Sequence, residues 1–308
     1  MRATAAWENS KILGNSSGVE DDEYNTFRVV PSFTFDNRNN PYRPTRGLRF
    51  NAAIDLAASK DENPNYDEAR FDQGMVEFVK PEIGYTQYWR GHKRHYIGVH
   101  AEGGLVTPVS GSGADDPVVD DNIDTPFLPV FERYFLGGEH SVRAVETRSI
   151  GPKLAQYRAT GGFHVVPVDC NGDGDTADVE FGENSGGTCL VLQNDVEIGG
   201  DAYWLMNFEY SVPFSEMFEL TAFVDVGNSF GVNHLDVFSL IDELDGDKIV
   251  ISDSDMFDAK ATAGIEVRFH TPVLQQPLRL IYGCKVFGDF NDDAGTCSFS
   301  FSIGRTFQ

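Results

Sequence analysis

The stretch CSFSFSIGRTF, residues 297–307, decides the fold class. Phe299, Phe301, Ile303 and Phe307 fall on one parity, while Ser298, Ser300, Ser302, Gly304 and Thr306 fall on the other. Arg305 alone interrupts the apolar side. A period of two belongs to a strand whose two faces meet different surroundings. The same alternation recurs upstream. Leu278, Leu280, Tyr282, Cys284 and Val286 oppose Arg279, Ile281, Gly283 and Lys285; Ala261, Ala263, Ile265, Val267 and Phe269 oppose Thr262, Gly264, Glu266, Arg268 and His270. Trp204, Met206, Phe208, Tyr210 and Val212 oppose Leu205, Asn207, Glu209 and Ser211, and Leu220, Ala222, Val224 and Val226 oppose Thr221, Phe223, Asp225 and Gly227. Residues 27–36 and 48–56 alternate clearly, 77–89 and 96–103 less cleanly, and 2–12 offers one more candidate, giving about nine or ten strands by this template. A helical period is absent apart from an acidic stretch at 235–244, with room for one or two turns. The chain reads as all-β.

Composition narrows the setting. The chain has 308 residues, 48 acidic against 24 basic (Lys and Arg), a formal charge of -24 and 41% hydrophobic residues. That apolar content is too high for a disordered acidic tail. No basic stripe exists to neutralise phosphates, so nucleic acid is set aside as a partner. No run approaches the roughly 18 to 20 apolar residues of a membrane-spanning helix, and the opening MRATAAWENSKIL lacks the basic flank and apolar core of a signal peptide. Neither test sees a transmembrane β-barrel, whose strands average to a polar composition. The mean hydropathy of -0.30 therefore excludes helical membrane proteins only.

The connections alternate as well. Short links fall at 37–47, 91–93, 213–219 and 271–277, and long ones at 14–25, 59–74, 107–200, 229–258 and 288–296; the long links carry roughly three quarters of the acidic residues. Turns on one side and long loops on the other are the arrangement of an antiparallel outer-membrane barrel. A soluble β-sandwich also alternates, but strands of about 10 residues with an aromatic-rich apolar face suit a tilted membrane span better.

Five segments carry a family resemblance. Residues 131–153, FERYFLGGEHSVRAVETRSIGPK, hold the run Tyr134, Phe135, Leu136, Gly137, Gly138, then the tetrad Val142, Arg143, Ala144, Val145, then Ile150, Gly151, Pro152. NPYRPTRGLRF at 40–50, NFEYSVPF at 207–214, FVDVGNSF at 223–230 and FSIGRTF at 301–307 accompany it. Together they resemble BamA-type outer-membrane assembly proteins: a sixth extracellular loop with its V-R-G-aromatic tetrad, a periplasmic turn, two barrel strands and a terminal-strand signal, here Phe299, Phe301, Ile303, Gly304 and Phe307. The resemblance implies that Arg143 is held inside a barrel by carboxylates of two adjacent strands, Glu209 and Asp225, both on the parity opposite the apolar side chains. An Arg fork suits that task because it makes charge-assisted bidentate hydrogen bonds where water is scarce. Ala144 and Val145 depart from the family's Gly and aromatic residue, and Gln308 follows the terminal aromatic.

The remaining motifs are local. Asp169, Asn171, Asp173, Asp175 and Glu180 stand at positions one, three, five, seven and twelve of a calcium-loop template, with Gly174 at six, but without flanking helices. Calcium binding and a solvated acidic loop are the two readings. The resemblance favours a disulfide between Cys170 and Cys189, in a compartment where disulfides persist. Cys284 and Cys297 read either as a cross-strand bridge or as two lipid-facing thiols. A G-x-S-x-G at 14–18 lies in a polar loop rather than at a strand-to-helix elbow, and His92, His95 and His100 form no metalloprotease pattern. No enzymatic activity is expected.

The resemblance implies an assembly factor that inserts client outer-membrane proteins without ATP, through strand pairing and local membrane perturbation. Its partners would be outer-membrane lipid and lipopolysaccharide, unfolded clients and, in a full-length protein, assembly-complex lipoproteins; no cofactor is required beyond calcium in the 169–180 loop, should that loop bind it. Residues 1–308 are expected to be the C-terminal nine or ten strands of a barrel of roughly sixteen, with a long extracellular loop at 107–200, acidic loops outside, short turns periplasmic, and the family's periplasmic repeat domains absent. The alternatives are a polypeptide-translocating barrel of the two-partner-secretion or TamA-like kind, and a passive porin or surface barrel.

Overall fold

The computed structural model describes residues 2–12, 22–61, 75–110, 130–160, 189–197, 199–231, 241–242, 247–252, 255–271, 276–288 and 296–304. Its strands, in chain order, are β1 (Arg2–Ile12), β2 (Asp22–Asp36), β3 (Gly47–Asp61), β4 (Met75–Arg90), β5 (Tyr96–Leu105), β6 (Thr107–Ser110), β7 (Lys153–Thr160), β8 (Cys189–Glu197), β9 (Ala202–Pro213), β10 (Phe218–Phe230), β11 (Ile241–Asp242), β12 (Asp247–Ser252), β13 (Lys260–Phe269), β14 (Leu278–Phe287) and β15 (Cys297–Ile303).

Ten of them form one antiparallel sheet in the order β1-β2-β3-β4-β5-β9-β10-β13-β14-β15, and β6 continues past Val106 to pair with the far end of β4. Among the described residues β1 and β15 each have one neighbour, so the sheet does not close on itself.

The two faces have opposite chemistry. Phe27, Phe33, Ile54, Ile83, Met206, Phe208, Val224, Ile265, Leu280, Phe299 and Phe301 are exposed, whereas Thr26, Thr86, Asn207, Glu209, Thr221, Asp225, Glu266 and Arg279 are buried. A protein folding in water would bury the first set. An apolar convex face with a polar concave one is the pattern of strands that meet lipid outside and a lumen inside. The sheet curls far enough that Arg43, in the link after β2, donates to the Glu216 carbonyl at 3.1 Å and to Glu219 at 3.3 Å, in and beside the β9–β10 turn.

The structure corrects the reading of two long connections. Residues 107–200 and 229–258, read as long loops, contain β6, β7, β8, β11 and β12, and four of these form a second sheet in the order β11-β12-β7-β8. Their pairing joins separate stretches of chain, β7 with β8 and with β12, which alternation within a single stretch does not disclose. In the stretch read as helical turns, Ile241–Asp242 is a strand paired with β12, while 232–240 lie outside the described residues. At the C-terminus β15 reaches Ile303, Gly304 takes φ +138°, and the remainder of the stretch read as strand, to Phe307, lies outside the described residues.

Candidate functional site

Residues 130–152 leave the end of the barrel wall and fold back against its concave face. The segment is narrowed to a hairpin by paired backbone bonds between Leu136 and Ile150 and between Tyr134 and Gly200. Leu136, Val142, Ile150 and Leu205 are buried and pack together, with Val145 and Tyr203 at their margin. Gly137 and Gly138 both have positive φ, and a Cβ on Gly138 would stand 2.9 Å from the Thr147 hydroxyl. The double glycine thus serves the close approach of the two arms.

Arg143 sits at the tip with no solvent exposure. Its Nε donates to Asp225 Oδ2 at 2.7 Å and one terminal nitrogen to Asp225 Oδ1 at 2.6 Å, a bidentate pair; the other donates to Glu209 at 2.7 Å and Glu266 at 3.0 Å. Its backbone N–H also donates to Asp225 Oδ2, at 3.0 Å. Burial opposes the charged guanidinium, but Asp225, then Glu209 and Glu266, outweigh that and hold it charged beyond the ordinary arginine range. The sequence-derived partners Glu209 and Asp225 are therefore both within hydrogen-bonding distance of Arg143.

Sequence reasoning missed the rest of the network. Arg268 donates to Glu209 at 2.6 Å and Glu266 at 2.5 Å; Arg279 makes a bidentate pair with Glu266 at 2.8 Å on both arms and donates to the Glu139 carbonyl at 3.0 Å. Asn207 bridges the Ser141 carbonyl at 2.7 Å and Asp225 at 2.8 Å. Glu219 accepts from Tyr96 at 2.5 Å and lies 3.5 Å from Arg268. Four carboxylates, Glu209, Glu219, Asp225 and Glu266, thus meet Arg143, Arg268, Arg279 and, at the edge, Arg43. Such balance is what lets so many charges leave water together. Each of the missed strand residues has inward parity, and that was the available signal. Which inward charges converge depends on strand register and the path of the loop, neither of which parity contains.

Phe223 supplies the floor. The Arg143 guanidinium carbon lies 3.8 Å from the centre of its ring, a cation–π contact in a desolvated place. The ring fits because its register neighbours Gly264 and Gly283 lack side chains. A Cβ on Gly264 would come within 2.7 Å of the ring tip, and one on Gly283 within 2.8 Å of the Ala144 methyl. Ala144 itself has φ 65°, a left-handed conformation that a Gly would adopt without strain.

The root of the segment has a second anchor. Glu132, almost fully buried, accepts from Arg28 at 2.6 Å, and its carbonyl accepts from Lys80 at 3.1 Å. Tyr134 donates to Glu82 at 3.1 Å. One segment is therefore tied to β2 and β4 at its root and to β9, β10, β13 and β14 at its tip.

The other expected site residues fall elsewhere. Phe299, Phe301 and Ile303 are exposed on the convex face of β15, with Gly304 just beyond the strand. Cys284 and Cys297 are register partners joined by a disulfide. Asp169, Cys170, Asn171, Asp173, Asp175 and Glu180 lie outside the described residues, and Cys189 opens β8. The G-x-S-x-G at 14–18 is likewise outside them. His100 is bonded to Thr86 at 2.8 Å and Glu102 at 3.1 Å, and His95 to Tyr210 at 2.7 Å, all structural contacts along the sheet.

Comparison with known proteins agrees with this geometry. Outer membrane protein assembly factor BamA of Nitratidesulfovibrio vulgaris is 23% identical over 277 residues, covering 89% of this chain and 25% of that protein. The chain thus spans about a quarter of the relative's length. The crystal structure of BamA from Haemophilus ducreyi lacking POTRA domains 1-3 shares the fold with a TM-score of 0.51 at 14% identity, over 98% of this chain and 58% of that one. The profile of the Omp85 superfamily domain matches residues 2–307, and the chain belongs to that superfamily.

Proposed function

We propose that this chain is barrel-forming sequence of an outer-membrane assembly factor that inserts client β-barrels without a cofactor or enzymatic step. What supports the reading is the segment 130–152, locked by Arg143 to the concave face of the β9–β14 wall. That lock stiffens the strands leading to β15, whose outer edge has no neighbouring strand among the described residues. An unpaired edge is a template for a client strand. The long acidic connections would face the outside and the short turns the periplasm, with lipopolysaccharide, unfolded clients and accessory lipoproteins as partners.

Reconstitution of the full-length protein in lipid vesicles with a urea-unfolded small barrel as client tests this. Folding of the client, read by its heat-modifiable gel mobility, is expected to be several-fold faster than in empty vesicles and to fall with Arg143→Ala. A client that folds no faster than in empty vesicles, although the factor itself is folded, refutes the reading. Steady ion conductance in that case would mark a passive barrel.

A further inference from the structure

Along β9 the outward residues Met206, Phe208 and Tyr210 are exposed, as is Val224 on β10. Two pairs beyond Val224 the same outward parity reaches Asn228, whose register partner is Trp204. Asn228 has no exposure at all, and Trp204 is only half-exposed. The cover is a turn at 255–259. Trp204 Nε1 donates to the Met256 carbonyl at 3.0 Å, and Asn228 Nδ2 donates to the Asp255 carbonyl at 2.7 Å. The turn is closed on itself by Asp258 N–H to the Asp255 carbonyl at 2.9 Å and Ala259 N–H to the Phe257 carbonyl at 2.7 Å. It therefore lies on the convex side of the wall, not over the lumen.

Its side chains point away from the protein. Phe257 is 86% exposed and Met256 53%. Val286 and Phe287, at the end of β14 and close to the start of β13 through the Ala261–Phe287 pair, are 64% and 65% exposed. Scattered surface apolar residues need no explanation. These four, however, sit at the long-connection end of the strands, beyond the exposed apolar residues of β9, β10 and β14. Asp255 and Asp258 flank the two apolar side chains, a combination that fits the boundary between headgroups and acyl chains and would be costly deeper in hydrocarbon.

We propose that residues 255–259 form a membrane-interface ledge, in which Met256 and Phe257 insert among lipid acyl chains just beneath the headgroups of the leaflet on the long-connection side. The side-chain hydrogen bonds from Trp204 and Asn228 to its carbonyls fix its height on the wall. The ledge gives β9, β10 and β13 a defined vertical register in the bilayer. It does not depend on assembly activity, since a passive barrel would carry the same ledge.

The test uses Phe257→Cys labelled with the environment-sensitive dye NBD, in phosphatidylcholine and phosphatidylglycerol vesicles. Arg94→Cys in the opposite turn is the aqueous comparison, and unsubstituted protein treated in parallel supplies the labelling background. A blue-shifted emission and several-fold stronger quenching by lipids spin-labelled near the carbonyl than at Arg94→Cys are expected. Trp204→Phe, which keeps an aromatic side chain and removes the donor, is expected to weaken that quenching. Water-like emission quenched only by aqueous iodide overturns the ledge, and unchanged quenching in Trp204→Phe overturns the tether. Heat-modifiable mobility of each variant establishes that the sheet is intact.

Discussion

Arg143 is the side chain on which most depends, because three buried carboxylates converge on it. Arg143→Ala leaves Asp225 with Asn207 and the backbone N–H of residue 143 but, among the described residues, without a cation, and Glu209 and Glu266 with Arg268 and Arg279. Removing one partner from buried charges costs about 3–5 kcal/mol, and a lowered unfolding temperature in a heat-modifiability series is the measurement. Arg143→Lys is expected to recover little, since a point charge cannot reproduce the fork on Asp225; recovery to wild-type stability would show that only the charge matters. Ala144 adjoins it in a left-handed conformation. Ala144→Gly removes that strain at the cost of backbone freedom and a methyl contact, so a gain of up to about 1 kcal/mol is expected; a loss would mean that the methyl packing over Gly283 outweighs the strain. The Arg143, Glu209 and Asp225 grouping was legible because motif resemblance and strand parity pointed to the same residues. Glu266, Arg268 and Arg279 were not, because their meeting is set by register across β10, β13 and β14.

Between strands, the pairing of Phe223 with two side-chain-free neighbours controls how closely the loop tip approaches the wall. Gly283→Val would place atoms where Ala144 and the Phe223 ring now stand. Overpacking of this kind costs about 1–3 kcal/mol, and here it is expected to lift the tip rather than open the sheet. Trypsin cleavage after Arg143, fully buried in the native chain, reports it: cleavage should appear in Gly283→Val, and continued protection would mean that the wall absorbs the bulk. The β14–β15 hairpin carries its own constraint, a disulfide spanning 13 residues at the end where Cys284 and Cys297 pair. A cross-link of that loop length is worth about 3 kcal/mol in the chain-entropy view. Reduction should therefore speed amide exchange in β15 more than in β9 or β10; equal rates before and after would show that pairing alone holds the strand. Nine strands of the main sheet were readable, with β1 as a further candidate, because lipid on one side and a polar lumen on the other impose alternation, cleanest in β2, β3, β9, β10 and β13 to β15. The second sheet was not, since its strands lie inside long connections and the pairing of β7 with β8 and β12 joins stretches far apart in the chain.

At the scale of the whole molecule, the segment 130–152 acts as a strut across a sheet whose outer strands, β1 and β15, have one neighbour each among the described residues. Its root holds β2 and β4 through Glu132, and its tip holds β9, β10 and β13 through Arg143, with Asn207 of β9 on the Ser141 carbonyl and Arg279 of β14 on the Glu139 carbonyl. The two anchors share no described side-chain partner, and substitutions at such sites ordinarily add. Here they are joined by a chain that loses its freedom only once. With either anchor in place, the other forms within an already ordered segment; with neither, the full ordering cost of about 1–2 kcal/mol per residue opposes docking. Glu132→Gln and Arg143→Ala are therefore expected each to leave the segment partly protected from trypsin, and the double variant to expose it by more than the product of the single effects. Strictly multiplicative rates would mean that each end docks on its own and that the strut transmits nothing between the two sides of the wall. A coupled result would tie the curvature of the sheet, and with it the geometry presented at the β15 edge, to a loop that touches neither outer strand through any of the bonds described.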